Sequence, residues 1–349
     1  MSKLSRHRRN TRQSWDDTPG LFDLADEGDG SDELPELDSA ALARPECLRF
    51  ISFGSGSSGN CAYVGTSSCG ILIDAGVDNN RVTEALRENA ISMESIRGII
   101  LTHDHGDHIR YAYALLRYNR HLRLFATPKT LNGILRRHNI SRRIQDYHTP
   151  IYKEFPFKAG DLTITAFETS HDGSDNAGFS IEGAGTTFVV TTDTGMITER
   201  ADYYIRRCSH LMIESNYDAD MLRQGRYPMH LKARIASSTG HLDNRDTARY
   251  LASLCPTAIR NIFLCHLSLD NNTPEIALST VRSALEDAGM NVAGIDATPE
   301  ERQKSHICLY ALPRMQCSPL LTLGRDERAR AGQEEKYPTV GISGKTFPC

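Results

Sequence analysis

Three histidines and two aspartates lie within six consecutive residues of the segment IILTHDHGDHIR, which starts at Ile99. Imidazole nitrogens and carboxylate oxygens are ligands for Zn²⁺ and similar divalent ions. On an extended loop, the two-residue spacing sends His103 and His105 to the same side. Asp107 and His108, at a predicted helix start, turn the other way, so this segment can supply ligands to two metal ions. A polar loop with a capping aspartate is the alternative, but it does not require the whole His-x-His-x-Asp-His pattern.

Three further candidate ligands follow predicted strands. His171 comes after LTITAFETS, Asp193 after TTFVVTT and His266 after NIFLC. A single histidine or aspartate after a strand is more often a structural residue than a ligand. Their shared position favours the metal interpretation, because α/β sheets bind ligands at the carboxyl ends of their strands.

Short apolar and β-branched runs that end at Gly or Asp predict the strands that must position these side chains. The runs are LRFISFG, CAYVGT, GILIDAG, GIILTH, RLFATP, LTITAFETSH, GTTFVVTTDTG, HLMIESN, NIFLCHLS and HICLYAL. Helical patterns cover NNRVTEALRENA, DHIRYAYALLRYN and residues 199–208, 243–254 and 274–288. Strands with hairpin spacing come first and then alternate with helices. This order predicts a mixed-sheet α/β sandwich with helices on its outer faces.

The composition sets only broad limits. The 349 residues are 39% hydrophobic and carry a formal net charge of −4, which neither supports nor excludes a nucleic-acid partner. The nine cysteines are scattered without a Cys-x-x-Cys pair, so we expect reduced thiols in a cytoplasmic protein. We see no signal peptide and no apolar run long enough to span a membrane, and we therefore expect no membrane contact.

The two ends of the chain differ from the part between them. Residues 1–46 change from basic to acidic without hydrophobic periodicity, which predicts a disordered extension, although an incorrect start site would give the same pattern. We predict one domain over residues 47–317. Residues 318–349 show no helical or strand register and are predicted to form a flexible tail.

The order of the motifs resembles the metallo-β-lactamase fold, in which His-x-His-x-Asp-His is followed by His, Asp and His at strand ends, with LIDAG upstream. Seven segments further resemble the WalJ-type family of single-domain metallohydrolases, also called YycJ or VicX: FGSGSSGNCAYVG, LTHDHGDHI, TSHDGSDNAGF, TTDTG, IESNYDADMLRQGRYP, TGHLDNRDTA and CHLSLDNN. The likeness runs from about Leu48 to Leu312. It implies an αββα sandwich, two mixed β-sheets flanked by helices, with two divalent metal ions, Zn²⁺ or Mn²⁺.

The resemblance also implies roles for individual residues. The implied metal ligands are His103, His105 and His171 for one ion, Asp107, His108 and His266 for the second, and Asp193 as a bridge between them. Asp74 matches an aspartate that supports the site without binding metal.

A leaving-group oxygen needs a proton, and His241 in SSTGHLDNRDTA is the candidate general acid. Its position resembles a histidine of ribonuclease Z relatives that a glutamate orients, and Glu214 matches that glutamate. Together with Asp107, these two residues form the implied catalytic set. The alternative for His241 is a structural residue at the entry to the helix that begins near Asn244.

Candidate substrate contacts lie in two segments. The turn GSGSSGN can cradle a phosphate through its backbone and through Ser55, Ser57, Ser58 and Asn60, or it can be an ordinary hairpin loop. QGRYPMHLKAR supplies Arg226, Lys232 and Arg234 as a candidate basic patch, although such a cluster is more often a solvated helix face.

The resemblance implies a phosphodiesterase acting on nucleic acid, and more narrowly a 5′-to-3′ exonuclease on duplex DNA. Two metal ions about 3.5–4 Å apart can activate water and neutralise the charge of a phosphoryl group. Two other classes stay open. One is a small-molecule ester, thioester or lactone hydrolase of the same fold, and the other is a non-catalytic regulatory binding protein. Protein partners are not predicted.

Overall fold

Runs of apolar and β-branched residues build two β-sheets in the computed structural model, which describes residues 47–324. Within this range the strands are β1 (Leu48–Gly54), β2 (Cys61–Gly65), β3 (Gly70–Ile73), β4 (Ile96–Ile100), β5 (Arg123–Ala126), β6 (His148–Pro150), β7 (Phe157–Ala159), β8 (Leu162–Glu168), β9 (Ala177–Gly183), β10 (Thr186–Thr191), β11 (His210–Glu214), β12 (Asn261–Cys265), β13 (Val292–Ala293), β14 (Ile307–Ala311) and β15 (Leu321–Leu323).

The helices that connect these strands start at capping side chains in most cases, such as Thr127, Thr198 and Asp243. In the same range they are α1 (Asn79–Glu88), α2 (Gly106–Ile109), α3 (Ala112–Tyr118), α4 (Pro128–Arg137), α5 (Glu199–Ile205), α6 (Ala219–Gln224), α7 (Met229–Ile235), α8 (Asn244–Ser253), α9 (Pro274–Asp287) and α10 (Pro299–Lys304), with 3-10 helices at Met93–Ser95 and Arg142–Tyr147. None of them is long and apolar enough to cross a membrane.

The first sheet has the strand order β15-β1-β2-β3-β4-β5-β6, and the second has the order β13-β14-β12-β11-β10-β9-β8-β7. A central apolar layer joins them, in which the ring centroid of Phe50 lies 5.0 Å from that of Phe188 and 4.7 Å from that of Phe263. A second apolar layer lies between the first sheet and its outer helices, and a third lies between the second sheet and its outer helices. The predicted αββα sandwich with two mixed sheets is therefore confirmed.

Both sheets contain parallel strands whose carboxyl ends lie at one edge. In the first sheet β3, β4 and β5 run parallel, and in the second sheet β10, β11, β12 and β14 do. The loops that follow these strands carry most of the candidate ligands, which is the arrangement expected for α/β sheets.

One predicted helix is interrupted. The pattern DHIRYAYALLRYN predicted a continuous helix, but α2 ends at Ile109 and α3 begins at Ala112. The backbone N–H of Ala75 donates to the carbonyl of His108 at 2.7 Å, and the N–H of Tyr111 donates to the carbonyl of Ala75 at 2.9 Å. These bonds to the loop after β3 replace helical bonds, so the interruption ties the ligand segment to Asp74.

The first sheet begins with β1 at Leu48 and continues past residue 317, where the sequence predicted a flexible tail. Leu321–Leu323 pair with β1 in an antiparallel register that places Leu323 opposite Leu48, and Leu323 is fully buried. Residues 321–323 therefore belong to the first sheet and not to a flexible tail. Residues 1–46 and 325–349 lie outside the described residues. The eight cysteines that are described form no disulfide among themselves.

Candidate metal centre

The loops at the carboxyl edge of both sheets bring together side chains that are distant in sequence. Asp74 follows β3, the segment His103–His108 follows β4, His171 follows β8, Asp193 follows β10 and His266 follows β12. Four groups of three or four of these and neighbouring side chains place potential ligand atoms within 4.8 Å of one another. The sequence-predicted ligands are thus neighbours in space.

Three of these residues have a left-handed backbone, which is uncommon for residues other than glycine. The φ angles are 59° at Asp74, 49° at Asp193 and 54° at His266. Such a conformation is unfavourable by about 1–3 kcal/mol and often accompanies functional sites. In each case it turns the chain sharply after its strand, so that the side chain faces the neighbouring loops.

One cluster consists of His103, His105 and His171. Nδ1 of His105 lies 3.3 Å from Nε2 of His171. Nε2 of His103 is buried and has no hydrogen-bond partner among the described residues, as expected for an atom whose partner is a metal ion. Burial lowers the pKa of both His103 and His105, and so do neighbouring imidazoles, which favours the neutral form that binds metal.

A second cluster consists of Asp107, His108 and His266. Oδ2 of Asp107 lies 3.5 Å from Nε2 of His266 and 3.6 Å from Nε2 of His108. Burial alone would raise the pKa of Asp107, but the two imidazoles outweigh it and lower that pKa to about 2. The carboxylate therefore stays charged, as a metal ligand must.

Asp193 faces both clusters. Its Oδ2 lies 3.4 Å from Nε2 of His108, and its Oδ1 lies 3.4 Å from Nε2 of His266 and 3.9 Å from Nε2 of His171. Burial alone would raise the pKa of Asp193, but His266 and His108 lower it well below its ordinary value. A buried carboxylate in this position can contact ions in either cluster.

Outer hydrogen bonds orient the imidazoles. Nδ1 of His108 lies 2.8 Å from Oδ2 of Asp74, and Nδ1 of His171 donates to the carbonyl of Gly240 at 2.8 Å. Nδ1 of His266 lies 3.1 Å from Oε1 of Glu214. Each bond occupies one ring nitrogen and leaves Nε2 facing the cluster, which is how metal sites commonly select a tautomer. The donor set and the unpartnered nitrogen of His103 therefore fit divalent metal ions.

Three supporting residues were not predicted from the sequence. The hydroxyl of Thr102 lies 2.9 Å from Oδ2 of Asp74 and 3.0 Å from Nδ1 of His103. Nδ2 of Asn216 lies 2.7 Å from the carbonyl of His266, and Oδ1 of Asp172 lies 3.3 Å from Nε2 of His105. Thr102 and Asp172 are each adjacent in sequence to a predicted ligand, and this adjacency was the available signal.

His241 lies beside the clusters and is held by Glu214. Nδ1 of His241 is 2.7 Å from Oε1 of Glu214, and the second oxygen of this fully buried carboxylate accepts the N–H of Thr194 at 2.8 Å. The ring centroid of His241 lies 4.9 Å from that of His171. Burial alone would lower the pKa of His241, but the carboxylate of Glu214 outweighs burial and raises it. Glu214 therefore orients the ring of His241 at the edge of the clusters, and His241 is also one of the four residues grouped with Asp193, Glu214 and His266.

The loop GSGSSGN presents only part of its predicted contacts to solvent. Ser57 and Ser58 are exposed. Ser55 is buried, and its hydroxyl accepts the backbone N–H of His266 at 2.9 Å. Asn60 is also buried, and its Nδ2 lies 3.3 Å from Oδ2 of Asp107. These two buried side chains contact the ligand loops and do not extend into solvent.

The three cations of QGRYPMHLKAR do not form one free patch. Nε of Arg234 donates to Oδ2 of Asp172 at 2.6 Å, and Nζ of Lys232 donates to the carbonyl of Arg223 at 2.7 Å. Arg226 is exposed. The structure therefore uses two of the cations for internal contacts.

Comparison with known proteins agrees with this geometry. A sequence model described as the β-lactamase superfamily domain matches residues 70–266 of this chain. The chain belongs to the metallo-β-lactamase superfamily. Within the superfamily, exodeoxyribonuclease YycJ of Bacillus anthracis is 35% identical over 252 residues, which are 70% of this chain and 92% of that protein. Exodeoxyribonuclease WalJ of Streptococcus pneumoniae is 32% identical over 250 residues, which are 71% and 92%. The WalJ-type resemblance is therefore confirmed.

Solved structures share the superfamily fold at low sequence identity. The metallo-β-lactamase fold protein YhfI of Bacillus subtilis superposes with a TM-score of 0.55 at 14% identity, over 78% of this chain and 99% of that one. Zn²⁺-bound PqqB of Methylobacterium extorquens superposes with a TM-score of 0.54 at 16% identity, over 77% and 99%. The superfamily and the His/Asp cluster together imply divalent metal ions, and this member is a metal-dependent hydrolase.

Proposed function

We propose that this chain is a binuclear-metal-dependent phosphodiesterase that hydrolyses nucleic acid as a 5′-to-3′ exonuclease on double-stranded DNA. The names of two relatives, both exodeoxyribonucleases, support DNA as the substrate. The observation that carries the proposal is the 2.7 Å hydrogen bond between His241 and Glu214 beside the ligand clusters. It gives the site a proton donor, which a phosphodiester with a poor leaving group requires.

The proposed ligands divide into two sets that share one carboxylate. They are His103, His105 and His171 in the first set, Asp107, His108 and His266 in the second, and Asp193 between them. When bound, Zn²⁺ or Mn²⁺ at these positions supplies a nucleophilic water near neutral pH and neutralises phosphoryl charge. Asp74 binds no metal in this proposal and orients His108 through a hydrogen bond to its Nδ1.

His241 is proposed to deliver the proton to the leaving sugar oxygen. Its Nδ1–H donates to Glu214, so Nε2 is the nitrogen that can carry the transferable proton. The raised pKa of His241 keeps more of this proton in place at neutral pH than an ordinary imidazole would. Burial would raise the pKa of Glu214, but His241 outweighs it and lowers that pKa, so the carboxylate stays charged and orients the ring.

Substrate contacts follow from exposure. Ser57 and Ser58 are proposed to meet a phosphate because they are exposed on the loop before Asn60. Ser55 and Asn60 are proposed instead to position the ligand loops, since both are buried against them. Arg226 stays a proposed phosphate contact.

A digestion series tests the proposal. Duplex DNA labelled at either the 5′ or the 3′ end, bis-p-nitrophenyl phosphate and a thioester are each incubated with the protein, with and without chelator. We expect chelator-sensitive hydrolysis of both phosphodiesters and early release of the 5′ label. Turnover of the thioester alone would favour a small-molecule hydrolase, and no turnover of any substrate would favour a binding protein.

A further inference from the structure

A long basic segment follows the His103–His108 motif directly. Residues 109–145 contain eight arginines and one lysine but no aspartate or glutamate. The segment forms α3, β5, α4 and most of the second 3-10 helix, and all nine cations are exposed. Residues 221–242 form a shorter stretch of this kind, with three arginines and one lysine and no acidic residue. Residues 109–145 are therefore the larger of two local sources of positive charge in the described part of the chain.

Helix α4 directs part of this charge toward a cleft. Lys129, Asn132 and Arg136 are spaced by three and four residues, which places them on one face of the helix. With Ser174 they line a cleft of about 280 Å³. Ser174 lies on the short loop between the proposed ligand His171 and β9. The cleft therefore has a cationic wall from α4 and a polar wall from a loop of the metal centre.

Close packing fixes α4 against the metal-binding loop. An added Cβ at Gly133 would collide with Oδ2 of Asp104, so the helix can approach this closely only with glycine at that position. Nη1 of Arg137 lies 3.6 Å from the same oxygen. Asp104 stands between the proposed ligands His103 and His105. The cleft is therefore immediately beside the proposed metal centre.

The carboxylates near the cleft are already paired. Asp104 accepts the N–H of Ser174 at 2.8 Å and its hydroxyl at 2.7 Å. Asp175 pairs with Lys153 at 2.7 Å, and Asp172 pairs with Arg234 at 2.6 Å. Within residues 47–324, Lys129 and Arg136 form no ion pair. Their charge is available to a ligand from solvent.

We propose that this face of α4, made of Lys129, Asn132 and Arg136 together with Ser174, binds backbone phosphates of the nucleic acid next to the bond that is hydrolysed. The inference rests on the proposed function and names a binding surface for it. Arg136 lies seven positions after Lys129 in the helix, which is about 10 Å along the axis. That length matches about three nucleotides of one strand of B-form DNA. The two cations are thus spaced to contact phosphates about three nucleotides apart on one strand.

The test compares Lys129→Gln/Arg136→Gln with a control, Arg249→Gln/Lys304→Gln, on helices that connect strands of the second sheet. Fluorescence anisotropy measures the binding of a hydrolysis-resistant phosphorothioate duplex over a range of salt concentrations. We expect the α4 variant to bind about tenfold more weakly or worse near 0.1 M salt, with a salt slope smaller by about two. The control should bind within about twofold of the wild-type protein, as expected for cations that contact no phosphate.

Equal binding by the α4 variant and the control would overturn the proposal. Reduced metal content in the α4 variant would also overturn it, because α4 would then support the centre and not the substrate. Anionic phosphatidylglycerol vesicles provide a further comparison: loss of vesicle binding with unchanged DNA affinity would assign the face to lipid. Chelator-sensitive hydrolysis of bis-p-nitrophenyl phosphate by the wild-type protein is scored separately, so failure of the proposed function is distinguished from failure of this surface.

Discussion

Oε1 of Glu214 lies 2.7 Å from Nδ1 of His241. The same oxygen lies 3.1 Å from Nδ1 of His266, so one buried carboxylate orients both the proposed general acid and a proposed metal ligand. In the proposed mechanism, proton delivery by His241 and metal binding by His266 therefore both depend on this oxygen. We therefore expect a substitution of His241 to affect proton delivery alone, and a substitution of Glu214 to affect both proton delivery and metal binding.

His241→Ala should keep two metal ions and reduce turnover of duplex DNA by about 10²–10⁴-fold, the usual contribution of general acid catalysis. The loss should be smaller for bis-p-nitrophenyl phosphate, because p-nitrophenolate leaves without protonation whereas a sugar alkoxide does not. Steady-state kinetics on both substrates, with metal analysis of the same preparations, measures the difference. His230→Ala, at an exposed histidine of α7, is the matched control.

Equal impairment on both substrates would mean that His241 positions the phosphate and delivers no proton. Loss of metal from His241→Ala would make it a ligand, and the role proposed for His266 would then be the one to revise.

Glu214→Gln should show the leaving-group pattern of His241→Ala together with weaker retention of metal. The resemblance implied only that Glu214 orients His241, but the contact with His266 adds the effect on metal. Metal content after dialysis against a weak chelator, compared with His241→Ala, is the measurement. Full metal retention by Glu214→Gln would show that His266 does not depend on this carboxylate.

The purified protein should contain about two divalent ions per chain, because seven proposed ligands form two sets. His103→Ala should lose metal and activity together, since its Nε2 is buried without another partner in the described structure. Elemental analysis paired with hydrolysis of bis-p-nitrophenyl phosphate tests this expectation, with His121→Ala at an exposed position as the control. An active preparation with one ion or none would rule out the binuclear proposal.

Leu323→Ala should destabilise the fold by about 2–5 kcal/mol, as expected for the removal of a fully buried leucine side chain. Thr322→Ala, at the intervening and less buried position of β15, should change the free energy of unfolding by much less. Denaturant unfolding of both variants gives the comparison. Similar stabilities would indicate that β15 contributes little in solution.

Stability should decrease with acidification through His210. Burial lowers the pKa of this histidine to about 3, below its ordinary value of about 6.5. The unfolded chain therefore binds a proton first, and the stability that His210 contributes is full above about pH 6.5 and is lost toward about pH 3. Between pH 7 and pH 5 the wild-type protein should lose about 2 kcal/mol more than His210→Gln. An equal loss in both proteins, or the same difference in His230→Gln, would contradict this assignment.

The positions of the ligands could be predicted because their signal is local. A histidine or aspartate directly after an apolar, β-branched run lies at a strand end, and strand ends of parallel sheets meet at one edge. His171, Asp193 and His266 were therefore correctly expected to lie near the His103–His108 segment. Their left-handed backbone angles depend on packing, and no sequence pattern predicted these angles.

What could not be predicted depends on contacts between distant segments. The strand Leu321–Leu323 is too short to show a period, and it exists because it pairs with β1. Arg234 was expected in a basic patch, but its partner Asp172 lies 62 residues away in sequence. The position of α4 against Asp104 is likewise set by the close approach at Gly133, a contact between a helix and a loop that neither segment shows by itself.

The proposed ligand sets draw on both halves of the sandwich. The segment His103–His108 follows a strand of the first sheet, whereas His171, Asp193 and His266 follow strands of the second. Metal ions bound by ligands from both groups would cross-link the two sheets. Metal occupancy and the docking of the sheets would then stabilise each other, because an ion that binds only the assembled protein adds its binding free energy to that of folding. A chelator would thus lower the stability of the fold as well as inhibit hydrolysis.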